Sequence, residues 1–539
     1  MKAILGFRYG NGLGEWAAGL FLILTASGFG MDWPQYRGPN HDGISTDRIL
    51  KQWPTNGPTV LWRNTSLTNG FSSFAVSQGR AFTLISRDIG GLKEVCVALE
   101  ATTGTNIWAT PIDDAPWDFD STYFNSGGTG IAPCHKGDGP RSTPSVKDDR
   151  VFALSGQMHL VCMNATNGSV IWSNDLVSLY GASEIPWQNA ASPCLDDDLL
   201  FVNFNTSTSG LTLFALRTTN GSPAWSSQNE SLVHATPVVA TIQGVRQVLF
   251  ATRSNIVSLD RTSGVLLWKY TYPFSPLPTY LGMGASPVVH SNIIFCSAAS
   301  ERGSAAARIT FTNGVWTLEQ LWHLNTPVSA YQSAWMTPVC YQGYLYGQFG
   351  NNTFTNSPLN CIELATGDLK WSTNGFGQGG TILVDNAILA LTEDGQLVLV
   401  EPNPDAYTEL ARYRVYTFSD DSPGKCWNSP AVADGFIYAR STREGVKLDV
   451  SVPSPLKMLT PQFVEGNQLQ LWVGTTGGGA IDTNRLAKLE IRHTTNLAHT
   501  LGNWPKLTNS LVLTNGMVRV DNVDSGTELR RYFIAVEQP

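Results

Sequence analysis

Short apolar runs recur along most of this chain, and each is closed by a polar turn of one kind. Val95–Leu99, Leu160–Met163, Leu213–Leu216, Ile256–Leu259 and Cys361–Leu364 lead into Glu-Ala-Thr-Thr-Gly (100–104), Asn-Ala-Thr-Asn-Gly (164–168), Arg-Thr-Thr-Asn-Gly (217–221), Asp-Arg-Thr-Ser-Gly (260–264) and Glu-Leu-Ala-Thr-Gly (363–367). A Trp follows each Gly at the same spacing: Trp108, Trp172, Trp225, Trp268 and Trp371. This predicts a hairpin whose turn ends in a positive-φ glycine and whose second strand carries a buried indole. Upstream stand Thr143-Pro144, Ser192-Pro193, Thr236-Pro237, Ser286-Pro287, Thr337-Pro338 and Ser429-Pro430, with strands such as Arg150–Leu154 in between. Each unit therefore reads as four strands. Four-stranded units repeated in this way pack radially as the blades of a propeller.

The openings number eight once Ser73-Phe74 and Gly380-Thr381 join the six Ser/Thr-Pro pairs. Outer strands are marked by Trp108, Trp172, Trp225, Trp268, Trp322 and Trp371, and more weakly by Tyr413. The last unit runs through Gly435–Arg440 and Gly445–Val450 and lacks an outer strand. Pro58–Arg63, carrying Trp62, is expected to supply it and close the ring, which removes open sheet edges. The expected fold is an all-β, eight-bladed propeller of four-stranded antiparallel blades. Trp62 and the six other indoles should wedge between neighbouring blades.

Charged residues are sparse, at 14%, and the net charge is −8 with no basic run. That argues against disorder and disfavours a nucleic-acid partner. Residues 1–30 read as a secretory signal: Lys2 and Arg8 precede an apolar Trp16–Ala26, which is short for a membrane span, and small residues follow. The expected protein is an exported monomer, periplasmic, cell-surface or secreted, with no membrane span after cleavage. Pro453, Pro455 and Pro461 mark 455–461 as a linker between the propeller (31–454) and a small β-sandwich-like domain (462–539). The cysteines form no metal-binding spacing. Cys162 and Cys361 share one repeat position inside a strand and read as buried thiols, while Cys134 and Cys426 lie in loops where pairing is open.

Propellers bind at the mouth of the axis, on loops held by the ring. The residue two before each strand opening is expected to line that mouth: Phe71, Arg141, Ala190, His234, Gly284, Trp335, Gln378 and Trp427. Such a ring binds a planar or anionic ligand by stacking and charge-assisted hydrogen bonds. Alternatively the two indoles plug the axis, and Arg141 pairs with Asp118 or Asp120 in the long loop 111–140. No catalytic residue is assigned by spacing, and no metal site has motif support.

Residues 33–45 (WPQYRGPNHDGIS), the blade phrases, Gly244–Val248, Leu391–Gly395 and Gly424–Trp427 resemble the bacterial PQQ-binding-like β-propeller repeat proteins of the quinoprotein alcohol dehydrogenase-like superfamily. The outer-membrane protein assembly propeller is a relative of these. The resemblance covers about residues 32–450. The tail, through Trp504–Asn509, Leu511–Asp521 and Arg530–Phe533, resembles a C-terminal β domain of secreted bacterial proteins. The resemblance implies the eight-bladed fold and export. It also frames two functions. One is an exported, non-catalytic scaffold without a cofactor that binds a protein or glycan partner through its axial loop face. The alternative is an oxidoreductase that uses pyrroloquinoline quinone with calcium on an alcohol or sugar. Its relatives hold that quinone with an adjacent Cys-Cys pair, which this sequence lacks.

Overall fold

The computed structural model describes residues 5–8, 31–115, 139–183, 188–206, 210–277, 284–299, 301–350, 357–419, 424–464, 468–476, 478–481, 483–526 and 530–538. These fall into two compact units, Gly30–Ser451 and Val452–Pro539, the latter joined by Met1–Phe29. Within Gly30–Ser451 the described strands form a propeller of antiparallel blades. The blades open at Ala75–Ser77, Ser145–Lys147, Cys194–Asp196, Val238–Ile242, Val288–His290, Val339–Tyr341, Gly380–Val384 and Ala431–Ala433. The first seven blades add their strands in chain order from the opening strand outward. The blade opening at Ala431 takes its fourth strand from Thr59–Asn64, which pairs antiparallel with Gly445–Asp449.

The repeated turn phrase is a socket for the neighbouring blade. Trp62 donates its indole N–H to Ala101 O at 3.0 Å, Trp108 to Ala165 O at 3.1 Å, Trp172 to Thr218 O at 3.1 Å, Trp225 to Arg261 O at 3.1 Å and Trp322 to Leu364 O at 2.9 Å. In each case the acceptor lies in the next blade's phrase, and the indole packs on that phrase's glycine. At Gly104 φ is +71°, and a Cβ there would stand 2.5 Å from the Trp62 ring. The same close approach recurs at Gly168, Gly221, Gly264 and Gly367. The phrase thus needs glycine twice over, for the left-handed backbone and for the indole seat.

Two departures follow from the same logic. The fifth blade joins Gly303–Thr312 to Val315–Leu324 through a tight Asn313-Gly314 turn, so it offers no phrase. Trp268 accordingly donates within its own sheet, to the buried Gln247 Oε1 at 2.8 Å. At the seventh blade Tyr413 replaces the indole, and its seat is Gly57, where a Cβ would lie 2.0 Å from the ring. Thr55-Asn56-Gly57 before Trp62 is therefore another turn phrase, displaced to the far end of the chain. It escapes a search at fixed spacing because one extra residue separates its Gly from its Trp.

The Ser/Thr of the opening pairs tie the inner strands together. Ser73 N donates to Thr143 Oγ1 at 3.0 Å, Thr143 N to Ser192 Oγ at 2.9 Å, Ser192 N to Thr236 Oγ1 at 2.9 Å, and Ser286 N to Thr337 Oγ1 at 2.9 Å. Just below this girdle, residues 33–47 cross the bore. Trp33 bridges Val76, and Val146 N donates to Pro34 O at 2.8 Å. The Gln35 amide pairs both ways with Leu195, at 2.9 and 3.0 Å. Arg37 donates to Thr337 O and Pro338 O, both at 3.0 Å. Ile44–Ser45 runs parallel to Leu383–Val384, and Gly435 N donates to Asp47 Oδ2 at 3.1 Å. The segment braces blades on opposite sides of the axis.

His41 in this brace is buried with its Nδ1 3.6 Å from Cys194 Sγ, and burial pushes its pKa down from 6.5 to about 4. The unfolded chain binds the proton below 6.5, whereas the folded chain refuses it until about 4, so stability falls as pH drops through that window. The expected loss is roughly 2 kcal/mol at pH 5 relative to neutral pH. Thermal unfolding of wild type and His41→Asn between pH 7.5 and 5 checks this, since the variant should lack that part of the slope.

The seven described cysteines are reduced and buried, Cys426 among them; Cys134 lies outside the described residues. In the other unit, Leu456–Met458, Gln468–Thr475, Met517–Asp524 and Leu511–Thr514 form one sheet, with Gln462–Val464 also pairing Gln468–Thr475. Leu456–Met458 thus lies in a sheet, although the sequence places it in a linker. Its alternating pattern is too short to stand out beside the flanking prolines. A second sheet comprises Leu489–Thr494, Arg530–Glu537 and Leu5–Arg8, with Leu5 opposite Phe533. Leu5–Arg8 falls within the stretch read as a secretory signal. Leu471, Val473, Val518 and Val520 of the first sheet share a core with Ile491 and Phe533 of the second. No helix among the described residues is long and apolar enough to cross a membrane.

Candidate functional site: the axial cavity

Above the brace the inner strands enclose a cavity of about 210 Å³. Phe71, Arg141, Ala190, His234, Gly284, Trp335 and Trp427 line it, each two residues before the Ser or Thr of an opening pair. Gln378 does not: it is fully buried behind the wall, and its neighbour Gly379 takes the lining position. Asp118 and Asp120 lie outside the described residues. Tyr36 of the brace also lines the cavity, with its hydroxyl 3.4 Å from Thr337 Oγ1.

Phe71, Trp427 and Trp335 form a continuous aromatic wall. Phe71 stacks on Trp427 at 5.0 Å and 21°, and Trp427 meets Trp335 at 4.8 Å and 45°. The Arg141 guanidinium lies over the Phe71 ring at 5.9 Å. The wall is fixed from behind by Glu393. One of its carboxylate oxygens accepts from Trp427 Nε1 at 3.0 Å and from Lys425 Nζ at 2.9 Å, and the other accepts from Gln378 N at 3.2 Å. Lys425 Nζ also sits 4.7 Å from the centroid of the Trp427 ring. Gln378 acts as a support, since its carbonyl accepts from Trp335 Nε1 at 3.3 Å. Because indole orientation here depends on one half-buried carboxylate, Glu393→Gln should loosen the wall. The near-ultraviolet circular dichroism of the tryptophans is expected to weaken, with the far-ultraviolet signal unchanged.

Sequence reasoning passed over Glu393, Lys425, Tyr36 and Asn428. The signal was present, however: Leu391–Gly395 and Gly424–Trp427 stand out as motifs, and the structure joins them through the Glu393–Lys425 pair. Among the described residues, the lining holds Arg141 and His234 but no Asp or Glu. Among the described residues, no three His, Cys, Asp or Glu side chains gather as a metal site.

A family profile described as outer membrane protein assembly factor BamB matches residues 92–373, more than half of the chain. The chain belongs to this family. The matched span opens with the third strand of the first blade and ends with the outer strand of the sixth. The BamB of Moraxella catarrhalis is 14% identical, with a TM-score of 0.48, over 73% of this chain and 99% of that one. The quinohemoprotein alcohol dehydrogenase of Comamonas testosteroni is 12% identical, with a TM-score of 0.56, over 81% of this chain and 83% of its own. The enzyme ADHIIG of Pseudomonas putida HK5 gives 12% identity and a TM-score of 0.52, over 81% of this chain and 84% of its own. At such identities the two dehydrogenases share the fold of this BamB-family chain and no more. No curated protein matches the chain.

Proposed function

We propose that this chain is an exported, non-catalytic scaffold that binds a protein or glycan partner at the mouth of its axis. The observation that carries this reading is the cavity wall itself: a continuous aromatic surface, flanked by Arg141 and His234, at the axial position that the repeats share. Membership of the BamB family supports both export and a binding role.

The quinone alternative finds a poor match in the described residues. A calcium ion takes six to eight oxygen ligands, with carboxylates foremost, and among the described residues no carboxylate lines the cavity. Glu393 is already engaged by Lys425 and two further donors. Trp335 and Trp427 pack against one another and Phe71, rather than leaving an indole free as a floor.

A direct test mixes the purified protein with pyrroloquinoline quinone and calcium and follows alcohol-dependent dye reduction. No turnover is expected. Turnover that Trp335→Ala abolishes would make the protein an oxidoreductase. In parallel, binding on a glycan array or to immobilised envelope proteins is expected to be lost in Trp427→Ala.

A further inference from the structure

We infer that residues 39–42 of the brace form an acid-released latch: on protonation His41 leaves its seat on the third blade, the loop swings out between two fixed anchors, and Cys194 is uncovered while the propeller stays folded. Three observations converge on it.

The first is the anchoring. On one side Arg37 is buried and donates to Thr337 O and Pro338 O of the sixth blade, and Gly38 N donates to Gln35 O at 3.0 Å. On the other side Gly43 O accepts from Leu383 N at 2.9 Å, and Ile44–Ser45 pairs with Leu383–Val384 of the seventh blade. Neither anchor involves the His41 ring. Between them Pro39, Asn40 and Asp42 are not buried, and His41 alone is. The stretch can therefore open without unzipping a blade, as the least stable segments of folded proteins do.

The second is strain. His41 has φ at +61° and Arg37 at +63°. Left-handed values cost a non-glycine residue free energy and persist only where its surroundings hold them.

The third is the seat. The His41 Nδ1 lies 3.6 Å from Cys194 Sγ, and its buried Nε2 has no hydrogen-bond partner among the described residues. An orphaned buried nitrogen regains water when the loop opens. The surrounding charges do not welcome an imidazolium. Asp196 of the third blade faces the ring, but it already accepts from Arg246 Nε at 3.2 Å and from Arg261 Nε at 2.8 Å. Arg246 of the fourth blade and Arg37 of the brace are cations near the ring. Burial foremost, against the pull of Asp196 and with these cations, keeps the seated His41 neutral down to about 4. The open loop takes up the proton below 6.5, so opening gains as pH falls from 6.5 and levels off at about 4. By pH 5 the gain is about thirtyfold over neutral pH. Cys194 stays a thiol throughout, since burial raises its pKa. Burial also raises the Asp42 carboxyl, and that favours the closed loop as pH falls, the opposite sense to His41.

Labelling of the full chain with 4,4′-dithiodipyridine, a disulfide that reacts with thiols in acid, tests this. Labelled cysteines are located by peptide mass spectrometry, and each rate is divided by that of a free thiol at the same pH. Cys194 is expected to label about thirtyfold faster at pH 5 than at pH 7.5, while the buried Cys96 and Cys296 stay unlabelled. Amide exchange over residues 39–42, corrected for its intrinsic rate, should quicken across the same range and leave Thr59–Asn64 unchanged. In His41→Asn the new side chain tolerates the left-handed backbone and takes no proton, so the rise in Cys194 labelling should vanish. Equal Cys194 labelling at the two pH values, the same rise in His41→Asn, or labelling of Cys194 in step with Cys96 and Cys296 would each overturn the inference.

Discussion

Trp62→Ala is expected to destabilise the propeller by about 3–5 kcal/mol, the usual loss for truncating a large buried aromatic. The indole is 7% exposed. It packs edge-on against Phe74 at 6.2 Å and Tyr438 at 6.1 Å, seats on Gly104, and donates to Ala101 O. Its position makes it more than one of several equal wedges. Thr59–Asn64 belongs by pairing to the blade opening at Ala431, and Trp62 docks that blade onto the blade opening at Ala75. The substitution therefore weakens the seam between the last blade and the first, which come from opposite ends of the propeller sequence. Gly104→Ala attacks the same seam from the other side. It puts a Cβ 2.5 Å from the indole at a φ of +71°, where an L side chain is itself strained. Urea unfolding should show a lower midpoint for both variants. Trp172→Ala, between blades consecutive in sequence, is the comparison. If Trp62→Ala also exposes Gly445–Asp449 as an open edge, the variant should associate on size-exclusion chromatography, whereas Trp172→Ala should not.

Arg440→Ala is expected to cost roughly 2–4 kcal/mol, combining lost charge-assisted bonds with the hole left by a long side chain. Arg440 is 1% exposed, without a carboxylate among its partners. From the last blade it reaches into the first, donating to Thr83 Oγ1 at 2.8 Å, Ser72 O at 3.2 Å and Asn69 O at 3.2 Å, and to Leu84 O. Burial pushes its pKa down to about 9, which shows how strongly this site resists a charge. That resistance separates two variants. Arg440→Met fills much of the volume and removes the desolvation cost, so it should be milder than Ala. Arg440→Lys keeps the charge but not the planar fork, and should be at least as damaging as Met. Chemical denaturation of the three variants gives the order directly.

The blade units were legible because each carries its own instructions. A β-run, a Thr-rich turn, a glycine and an indole four residues on are local features, and the period-two pattern dictates which face is buried. The mouth was legible for the same reason, since the lining position keeps a fixed offset from each strand opening. Gln378 slipped by one because Gly379-Gly380 replaces the Ser/Thr-Pro pair there. What the sequence hid is the contact between distant segments. Nothing local in Gln35 or Arg37 shows that they bond to Leu195 or to Thr337 and Pro338 across the bore. Nothing local in Glu393 shows that it holds Trp427. Arg440 reads as an ordinary strand-end cation until the first blade closes over it. Trp268 is instructive in reverse: its phrase is intact, yet its partner phrase is missing from the next blade, and the indole turns inward to Gln247. A repeat motif encodes half of an interface, and the other half must be read one repeat further on.

A binding screen against envelope proteins and glycans, run with wild type and with Trp427→Ala, puts the axial-binding account to its plainest trial. The account predicts a partner that binds wild type and is lost when the aromatic wall is cut at Trp427. A partner that binds the two proteins equally would contradict it.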